Sequence, residues 1–227
     1  MSQLALPLRL QDHARFSTFW RAGNEQTVAF VEGLADEAAP AGGWLWGPAA
    51  VGKSHLLQAT CERMGPSAAY LPLSDVSETG PGILEGLTDR SILCLDDLHC
   101  VTGQSEWELG LFSLFNAVGE AGGSILAASR APQRDSGIEL PDLESRLATL
   151  PTFQLRPLDE AGSVAALKLR AMHRGLELPD ETARFLLSRA RRDMASLYAL
   201  LDRLDTEALV AKRRLTVPFV KSVLERD

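Results

Sequence analysis

The stretch GPAAVGKS, residues 47–54, constrains the fold of this chain more than any other. It fits the pattern G-x-x-x-x-G-K-[ST] and lies between an apolar strand candidate, residues 43–47, and a helical pattern over residues 54–64. A loop in that context turns several backbone N–H groups toward a phosphate at the helix N-terminus. The motif therefore predicts an α/β domain that binds the phosphates of a nucleotide. The predicted contacts come from the loop and the residue after it: Gly47, Pro48, Ala49, Ala50, Val51, Gly52, Lys53, Ser54 and His55.

Two pairs of residues have specific predicted roles at this site. Lys53 is expected to reach the β- and γ-phosphates, and the Ser54 hydroxyl is expected to ligate Mg²⁺. The run ILCLDD, residues 92–97, ends an apolar strand in two acids. Asp96 is predicted to hold the Mg²⁺ through water, and Asp97 to orient or deprotonate the attacking water. The alternative is a pair of solvated acids at a strand end.

Short apolar runs alternate with helical patterns up to Pro157. Strands are predicted at residues 43–47, 68–73, 91–97, 123–129 and 152–157, and helices at 54–64, 81–87 and 106–120. Runs that are apolar on both faces are typical of a buried parallel sheet, so the predicted fold class is α/β, with a parallel sheet flanked by helices. Only helical patterns follow, over 159–174, 180–191, 193–212 and 216–226. The chain therefore divides into a tail, 1–11, a core, 12–157, and a small all-helical lid, 158–227.

Composition limits the classes of function. The formal net charge is −7, and an acidic chain is a poor sequence-independent DNA binder, so direct DNA binding is not expected. No run approaches the roughly 18 apolar residues of a membrane span, and the N-terminus lacks a secretory pattern, which indicates a cytoplasmic protein. Cys61, Cys94 and Cys100 lack metal-ligand spacing and are expected to be buried reduced thiols.

The segment QLALPL, residues 3–8, lies outside every predicted element although most of its residues are apolar. A disordered terminus is usually polar, because apolar groups left in water gain nothing. A short apolar peptide can bury Leu4, Leu6 and Leu8 in the groove of a partner, with Gln3 hydrogen-bonded at one edge. Pro7 would limit the conformations of the free peptide and lower the cost of binding. An edge strand of this domain and a frayed tail are the alternatives.

Several longer segments resemble one family. The residues from LDDLHC to AASRAP, 95–132, and ELPDLESRL, 139–147, are similar to the AAA+ core of the DnaA-type bacterial replication initiators. RRDMASLYALLDRLD, 191–205, and LTVPFVKSVLERD, 215–227, resemble the lid of the same proteins. A DnaA-type core that carries QLALPL in front, with no DNA-reading domain after the lid, is similar to the regulatory inactivators of the initiator.

The resemblance implies a negative regulator of replication initiation with two partners. In the similar proteins the Q-L-x-L-P-L peptide docks on the DNA polymerase sliding clamp. The matching residues of this chain are therefore expected to bind the clamp. These are Gln3, Leu4, Leu6, Pro7 and Leu8. Arg146 in LESRL matches the arginine finger, so it would be presented to ATP held by a DnaA-type initiator and would stimulate its hydrolysis. The other role open to Arg146 is a surface salt bridge to Asp142 or Glu144.

The resemblance also implies contacts with the protein's own nucleotide, which is typically ADP in the similar proteins. Arg192, or the adjacent Arg191, matches the sensor-2 arginine of the lid. Gly23 and Asn24 resemble the segment that lines the adenine. Ser129 stands where the initiators commonly place a more strongly polar or acidic residue, so self-catalysed hydrolysis is expected to be weak.

Three matters stay open at this point. An autonomous AAA+ ATPase that resembles a helicase loader would hydrolyse ATP alone and ignore the clamp. A truncated DNA-binding initiator paralogue is disfavoured by the acidic charge. Homo-oligomer formation is not readable, because apolar interface patches and core helices look alike in one sequence.

Overall fold

The computed structural model describes residues 14–36, 42–189, 193–211 and 213–225. They form two compact units. Of the described residues, one unit contains 14–17 together with those of Asn24–Arg156, and the other contains Thr18–Gly23 together with those from Pro157 onward. The sequence-based boundaries place the short segment Thr18–Gly23 in the core, whereas the structure places it in the second unit.

The first unit is built on a five-stranded parallel sheet with strand order β2-β3-β4-β1-β5. The strands are β1 Gly42–Trp46, β2 Ala68–Pro72, β3 Ile92–Asp96, β4 Ser124–Ser129 and β5 Thr152–Gln154. The predicted α/β class with a parallel sheet is thereby confirmed. In β1, β3 and β4 nearly every residue is buried, because helices cover both faces of the sheet.

The helices of this unit lie before the first strand and between successive strands in the sequence. They are α1 Glu25–Asp36, α2 Lys53–Met64, α3 Leu73–Val76, α4 Ser105–Glu120 and α5 Pro141–Ala148. The helix predicted at 81–87 is wrong, since only a 3-10 turn, Pro81–Leu84, forms there. Gly80 and Gly86 flank that turn with φ of 82° and 88°, a left-handed conformation that ends regular helix on either side.

The two faces of the sheet carry different helices. On one face Leu93 and Leu95 of β3 pack in one cluster with apolar residues of α4 and α5. On the other face the Cys94 thiol is hydrogen-bonded to Cys61 of α2. Cys61, Cys94 and Cys100 are all unpaired, as predicted, but Cys100 is half-exposed rather than buried. Cys100 ends a short 3-10 turn outside the sheet, where less of it is covered.

The second unit contains four helices within the part of the chain that the structure describes. They are α6 Glu160–His173, α7 Asp180–Arg189, α8 Met194–Ala211 and α9 Val217–Leu224. Asp159 caps α6 by accepting a hydrogen bond from the Gly162 N–H at 2.7 Å, and Gly175 follows its end with φ of 73°. Leu167, Leu186, Leu201 and Val220 are fully buried in their common core. None of the helices in the described ranges is long and apolar enough to cross a membrane.

Candidate functional site

The loop after β1 has the backbone conformation that a phosphate-binding loop requires. Gly47 has φ of 150° and Gly52 has φ of 101°, and Gly52 is the residue that precedes α2. A Cβ atom at Gly47 would lie 2.5 Å from the carbonyl oxygen of Leu155, so only glycine fits between the loop and the chain beyond β5. The loop therefore leads directly into the N-terminus of a twelve-residue helix, where unpaired N–H groups favour an anion.

Lys53 is held inside this loop. Its residue is 6% exposed, and its Nζ donates hydrogen bonds to the carbonyl oxygens of Gly47, at 2.8 Å, and Pro48, at 2.7 Å. Burial lowers the pKa of the Lys53 ammonium, although the nearby Asp96 and Asp97 carboxylates oppose that effect. The cation is thus already placed between the loop and the acids that end β3.

Asp96 is almost completely buried and fully hydrogen-bonded. Its Oδ2 accepts from the Tyr70 hydroxyl at 2.7 Å, its Oδ1 accepts from the Asp97 N–H at 3.0 Å, and the Ser54 hydroxyl also donates to it. Burial raises the pKa of Asp96, and the negative charge of Asp97 adds to that rise, while the hydrogen bonds from Ser54 and Tyr70 oppose it.

The predicted magnesium pair is therefore together in space, since the Ser54 hydroxyl is hydrogen-bonded to the Asp96 carboxylate. Hydroxyl and carboxylate oxygens are the ligand types that Mg²⁺ takes beside substrate phosphates. A buried carboxylate with a raised pKa also gains most from a neighbouring cation, because burial is what disfavours its charge. The residues fit a nucleotide with its metal ion.

Asp96→Asn should separate function from stability. Because burial raises the pKa of Asp96, ionising this group in the folded protein costs stability as the pH rises through that pKa. Without nucleotide, we expect the neutral amide to increase the free energy of unfolding at pH 7 by roughly 0.5–2 kcal/mol. We also expect it to abolish the Mg²⁺ dependence of nucleotide binding. Chemical denaturation and nucleotide titration with and without Mg²⁺ measure both, with the exposed Asp89→Asn as control. A destabilised Asp96→Asn variant would contradict the sign of this effect.

Asp97 has a strained backbone next to the site. It adopts φ of 52° and ψ of 42°, which is uncommon for a residue other than glycine, and it precedes the turn Leu98–Cys100. Its Oδ1 lies 3.9 Å from Nδ1 of His99. Burial lowers the pKa of His99, and the positive charge of Arg130 lowers it further. A neutral imidazole therefore stands beside the acid that was predicted to orient water.

Ser129 ends β4 beside Trp46 of β1, at the same edge of the sheet as the phosphate loop. Its hydroxyl is fully buried and has no hydrogen-bond partner among the described residues. The Ser129 hydroxyl therefore has an unused hydrogen-bond donor and acceptor, and leaving them unpaired in the interior costs free energy.

Arg146 lies on α5, away from these groups in the sequence. It is solvent-exposed, whereas Leu143 and Leu147 on the same helix are fully buried in the core. Among the described residues, no ion pair joins Arg146 to Asp142 or Glu144. The apolar face of α5 is thus anchored, and the guanidinium is presented to solvent.

The remaining predicted contacts have the following positions. His55 is half-exposed, and its Nε2 is 2.8 Å from the carbonyl oxygen of Arg15. The Asn24 amide donates to the Arg156 carbonyl at 3.1 Å and accepts from the Arg156 N–H at 2.8 Å. Gly23 has φ of 81°. Arg191, Arg192 and the residues of QLALPL lie outside the described residues, so their roles stay predictions.

Sequence analysis missed two residues of this site and one beside it. Tyr70 lies on β2, which pairs with β3, and nothing in its local sequence marks it. His99 follows the acid pair by two positions, and that proximity was the available signal. Glu108 is buried in the first turn of α4, in a helix that otherwise gave only an apolar pattern.

Comparison with known proteins identifies the second unit. Residues 159–224 match the family model described as "Hda, lid domain". These C-terminal helices are therefore similar to the lid domain of Hda. The match spans α6 to α9 and the loops between them.

Solved structures similar to this chain are AAA+ proteins. Domain III of the Thermotoga maritima replication initiation protein DnaA has a TM-score of 0.78 at 19% identity, covering 96% of this chain and 98% of that one. AMPPCP-bound DnaA from Aquifex aeolicus has a TM-score of 0.69 at 20% identity, covering 86% and 66%. The Thermotoga maritima RuvB Holliday junction branch migration motor reaches 0.65 at 18%, covering 93% and 73%. At these identities the likeness establishes the fold. The lid match and the DnaA-like fold are both consistent with an Hda-related protein.

Proposed function

We propose that this chain is a negative regulator of replication initiation that presents Arg146 to ATP bound by a DnaA-type initiator and stimulates its hydrolysis. The observation that carries the proposal is the exposed guanidinium of Arg146, which has no ion-pair partner among the described residues and lies on a helix whose other face is buried. An arginine placed in trans needs this arrangement, because it must leave solvent only when a neighbouring molecule docks. The Hda lid domain and the DnaA-like fold support the same assignment.

We infer that the protein binds its own adenine nucleotide at the phosphate loop. The N-terminus of α2, the Lys53 ammonium and the paired oxygens of Ser54 and Asp96 would hold the phosphates and Mg²⁺. When bound, Mg²⁺ neutralises charge between the phosphates. Lys53 would then exchange its hydrogen bonds to the Gly47 and Pro48 carbonyls for bonds to phosphate oxygens. ADP would serve as a ligand that orders the protein rather than as a product to be released.

The chemistry on the initiator needs little from this chain except charge in the right place. In phosphoryl transfer, negative charge spreads over the equatorial oxygens of the γ-phosphoryl group, and a planar guanidinium can pair with two of them at once. Arg146 would supply that guanidinium from a helix fixed by Leu143 and Leu147, so its backbone would already be ordered when it engages.

We further propose that residues 3–8 tether the protein to the sliding clamp on DNA. Leu4, Leu6 and Leu8 would fill a hydrophobic groove of the clamp, as short extended peptides do. A clamp on DNA marks that replication has begun. Tethering there raises the local concentration of Arg146 near the initiator without any new contact at the reacting site.

Deletion of residues 3–8 tests the tether and the function together. We expect wild type with ADP to stimulate hydrolysis of initiator-bound ATP when DNA-loaded clamp is present. The deletion should lower that stimulation roughly 10²-fold at low protein concentration, because the effective concentration is lost, and excess protein should restore it. A chain with residues 3–8 in scrambled order is the control for length and composition. Equal stimulation by wild type with and without clamp would contradict the tether, and no stimulation by wild type would contradict the function.

One observation favours a second candidate, an autonomous AAA+ ATPase. Lys53, Ser54, Asp96 and Asp97 are all present, and Ser54 and Asp96 are in contact, as hydrolysis of the protein's own ATP would require. Steady-state ATP turnover by the purified protein distinguishes the two. A regulator would hydrolyse ATP slowly when the initiator is absent. An autonomous ATPase would hydrolyse ATP rapidly even when both the clamp and the initiator are absent.

A further inference from the structure

Glu108 is a buried carboxylate that binds backbone rather than a cation. It lies in the first turn of α4 and is 2% exposed. Its Oε1 accepts a hydrogen bond from the Gly103 N–H at 2.7 Å, and its Oε2 accepts one from the Leu140 N–H at 2.7 Å. The Glu139 N–H is shared between the two oxygens at 3.1 and 3.0 Å. Three backbone donors therefore satisfy one buried carboxylate.

Such an arrangement is strong but costly. Hydrogen bonds from N–H groups to a carboxylate are charge-assisted and short, and they offset the penalty of burying the charge. No Lys, Arg or His is paired with Glu108 among the described residues, so the backbone N–H groups are what stabilises its buried charge. Truncating Glu108 would therefore leave three backbone donors without their acceptor.

The three donors belong to two separate loops. Gly103 lies between the turn Leu98–Cys100, which follows Asp97, and the start of α4. Glu139 and Leu140 are the last residues before α5, and the Leu140 carbonyl accepts the first helical hydrogen bond from Glu144 at 3.0 Å. One carboxylate thus ties the loop after the acid pair to the entry of the helix that carries Arg146.

The other end of α5 is tied independently. The Gln133 amide donates to the carbonyl oxygens of Leu147, at 3.3 Å, and Leu150, at 3.0 Å. Leu143 and Leu147 fix which face of the helix is buried. The Glu108 hydrogen bonds hold the backbone where it enters the first turn of α5, one turn before Arg146. The contacts of Gln133, Leu143 and Leu147 do not hold that part of the helix.

We propose that Glu108 is the positioning residue for Arg146, holding the entry of α5 against the loop that follows Asp97. The inference rests on the proposed function, in which Arg146 acts on ATP held by the initiator. A catalytic group must stand within a fraction of an ångström of its working position, and a misplacement of about 1 Å can cost 10²-fold in rate. The Glu108 carboxylate is taken up by the backbone N–H groups of Gly103, Glu139 and Leu140, so it acts through the helix whose entry it holds.

Glu108→Gln is the direct test. The amide keeps one acceptor but turns an N–H₂ group toward backbone N–H donors, so at least one of the bonds is lost. We expect the maximal rate of initiator-bound ATP hydrolysis, with DNA-loaded clamp and ADP, to fall roughly 10- to 100-fold. The protein concentration that gives half of the maximal rate should stay within about twofold, because docking surfaces are unchanged. Glu106→Gln, an exposed change in the same helical turn, is the matched control and should behave as wild type.

The double variant Glu108→Gln with Arg146→Ala separates positioning from general damage. If Glu108 acts through Arg146, the double variant will hydrolyse no more slowly than Arg146→Ala alone, since coupled residues are not additive. Rates that multiply instead would overturn the proposal, as would wild-type activity in Glu108→Gln. Glu108→Asp keeps the charge with a shorter reach and should be intermediate, which provides a test if the glutamine variant does not fold. Absence of stimulation by wild type would instead show failure of the proposed function.

Discussion

Arg146→Ala should reduce the stimulated hydrolysis of initiator-bound ATP by about 10³-fold or more, because arginine fingers supply about 10³–10⁵ in related phosphoryl transfers. The side chain is exposed and has no ion-pair partner among the described residues. Its removal should therefore change the free energy of unfolding by less than about 0.5 kcal/mol. The measurement is single-turnover hydrolysis of labelled ATP held by the initiator, with DNA-loaded clamp and ADP present.

Two further variants make this result specific. Arg90→Ala removes the same charge from the amino-terminal side of β3, opposite the edge that carries Asp96, where Arg90 donates to the Pro66 carbonyl at 2.7 Å. It should stimulate as wild type does. Arg146→Lys keeps the charge but loses the planar fork and should recover little of the activity. Full stimulation by Arg146→Ala would place the finger elsewhere and remove the main support for the proposed function.

Asp202→Ala should destabilise the lid strongly, by about 3–5 kcal/mol. Arg170 on α6 is 4% exposed, and its guanidinium donates to both carboxylate oxygens of Asp202, with Nη2 at 3.0 and 2.8 Å. The same guanidinium lies 4.4 Å above the centre of the Tyr198 ring. Without Asp202, the buried Arg170 guanidinium loses a counter-charge and two carboxylate oxygens that accept its hydrogen bonds. Hydrogen exchange of the amides in α6 and α8 measures the loss where it occurs.

Asp205→Ala is the matched control for that change. Asp205 also pairs with an arginine of α6, since Arg174 donates to it at 2.9 Å, but both partners are partly exposed to solvent, and Arg174 keeps a second contact with Asp202 at 3.2 Å. Solvent-screened pairs of this kind contribute about 0–1 kcal/mol. Equal effects of the two alanine substitutions would mean that water reaches Arg170 and that its burial carries no penalty.

Much of the fold was predictable because its signals are local. The strands were recognised from short apolar runs, which mark a sheet buried on both faces whatever its strand order. The lid helices were recognised from the helical spacing of their apolar residues, and Gly175 marked the end of α6. The helix predicted over 81–87 failed because Gly82 and Gly86 within it and Gly80 just before it outweigh an apolar pattern there.

The sequence by itself determined the phosphate loop, the acid pair at the end of β3 and the lid, because each depends on residues adjacent in the chain. Only the tertiary structure decided which distant groups complete them. Tyr70 reaches Asp96 because β2 pairs with β3, and Asn24 meets Arg156 across 132 positions. Glu108 meets Glu139 and Leu140 only because α4 and α5 cover the same face of the sheet. Such contacts follow from strand order and helix packing, which no local pattern encodes.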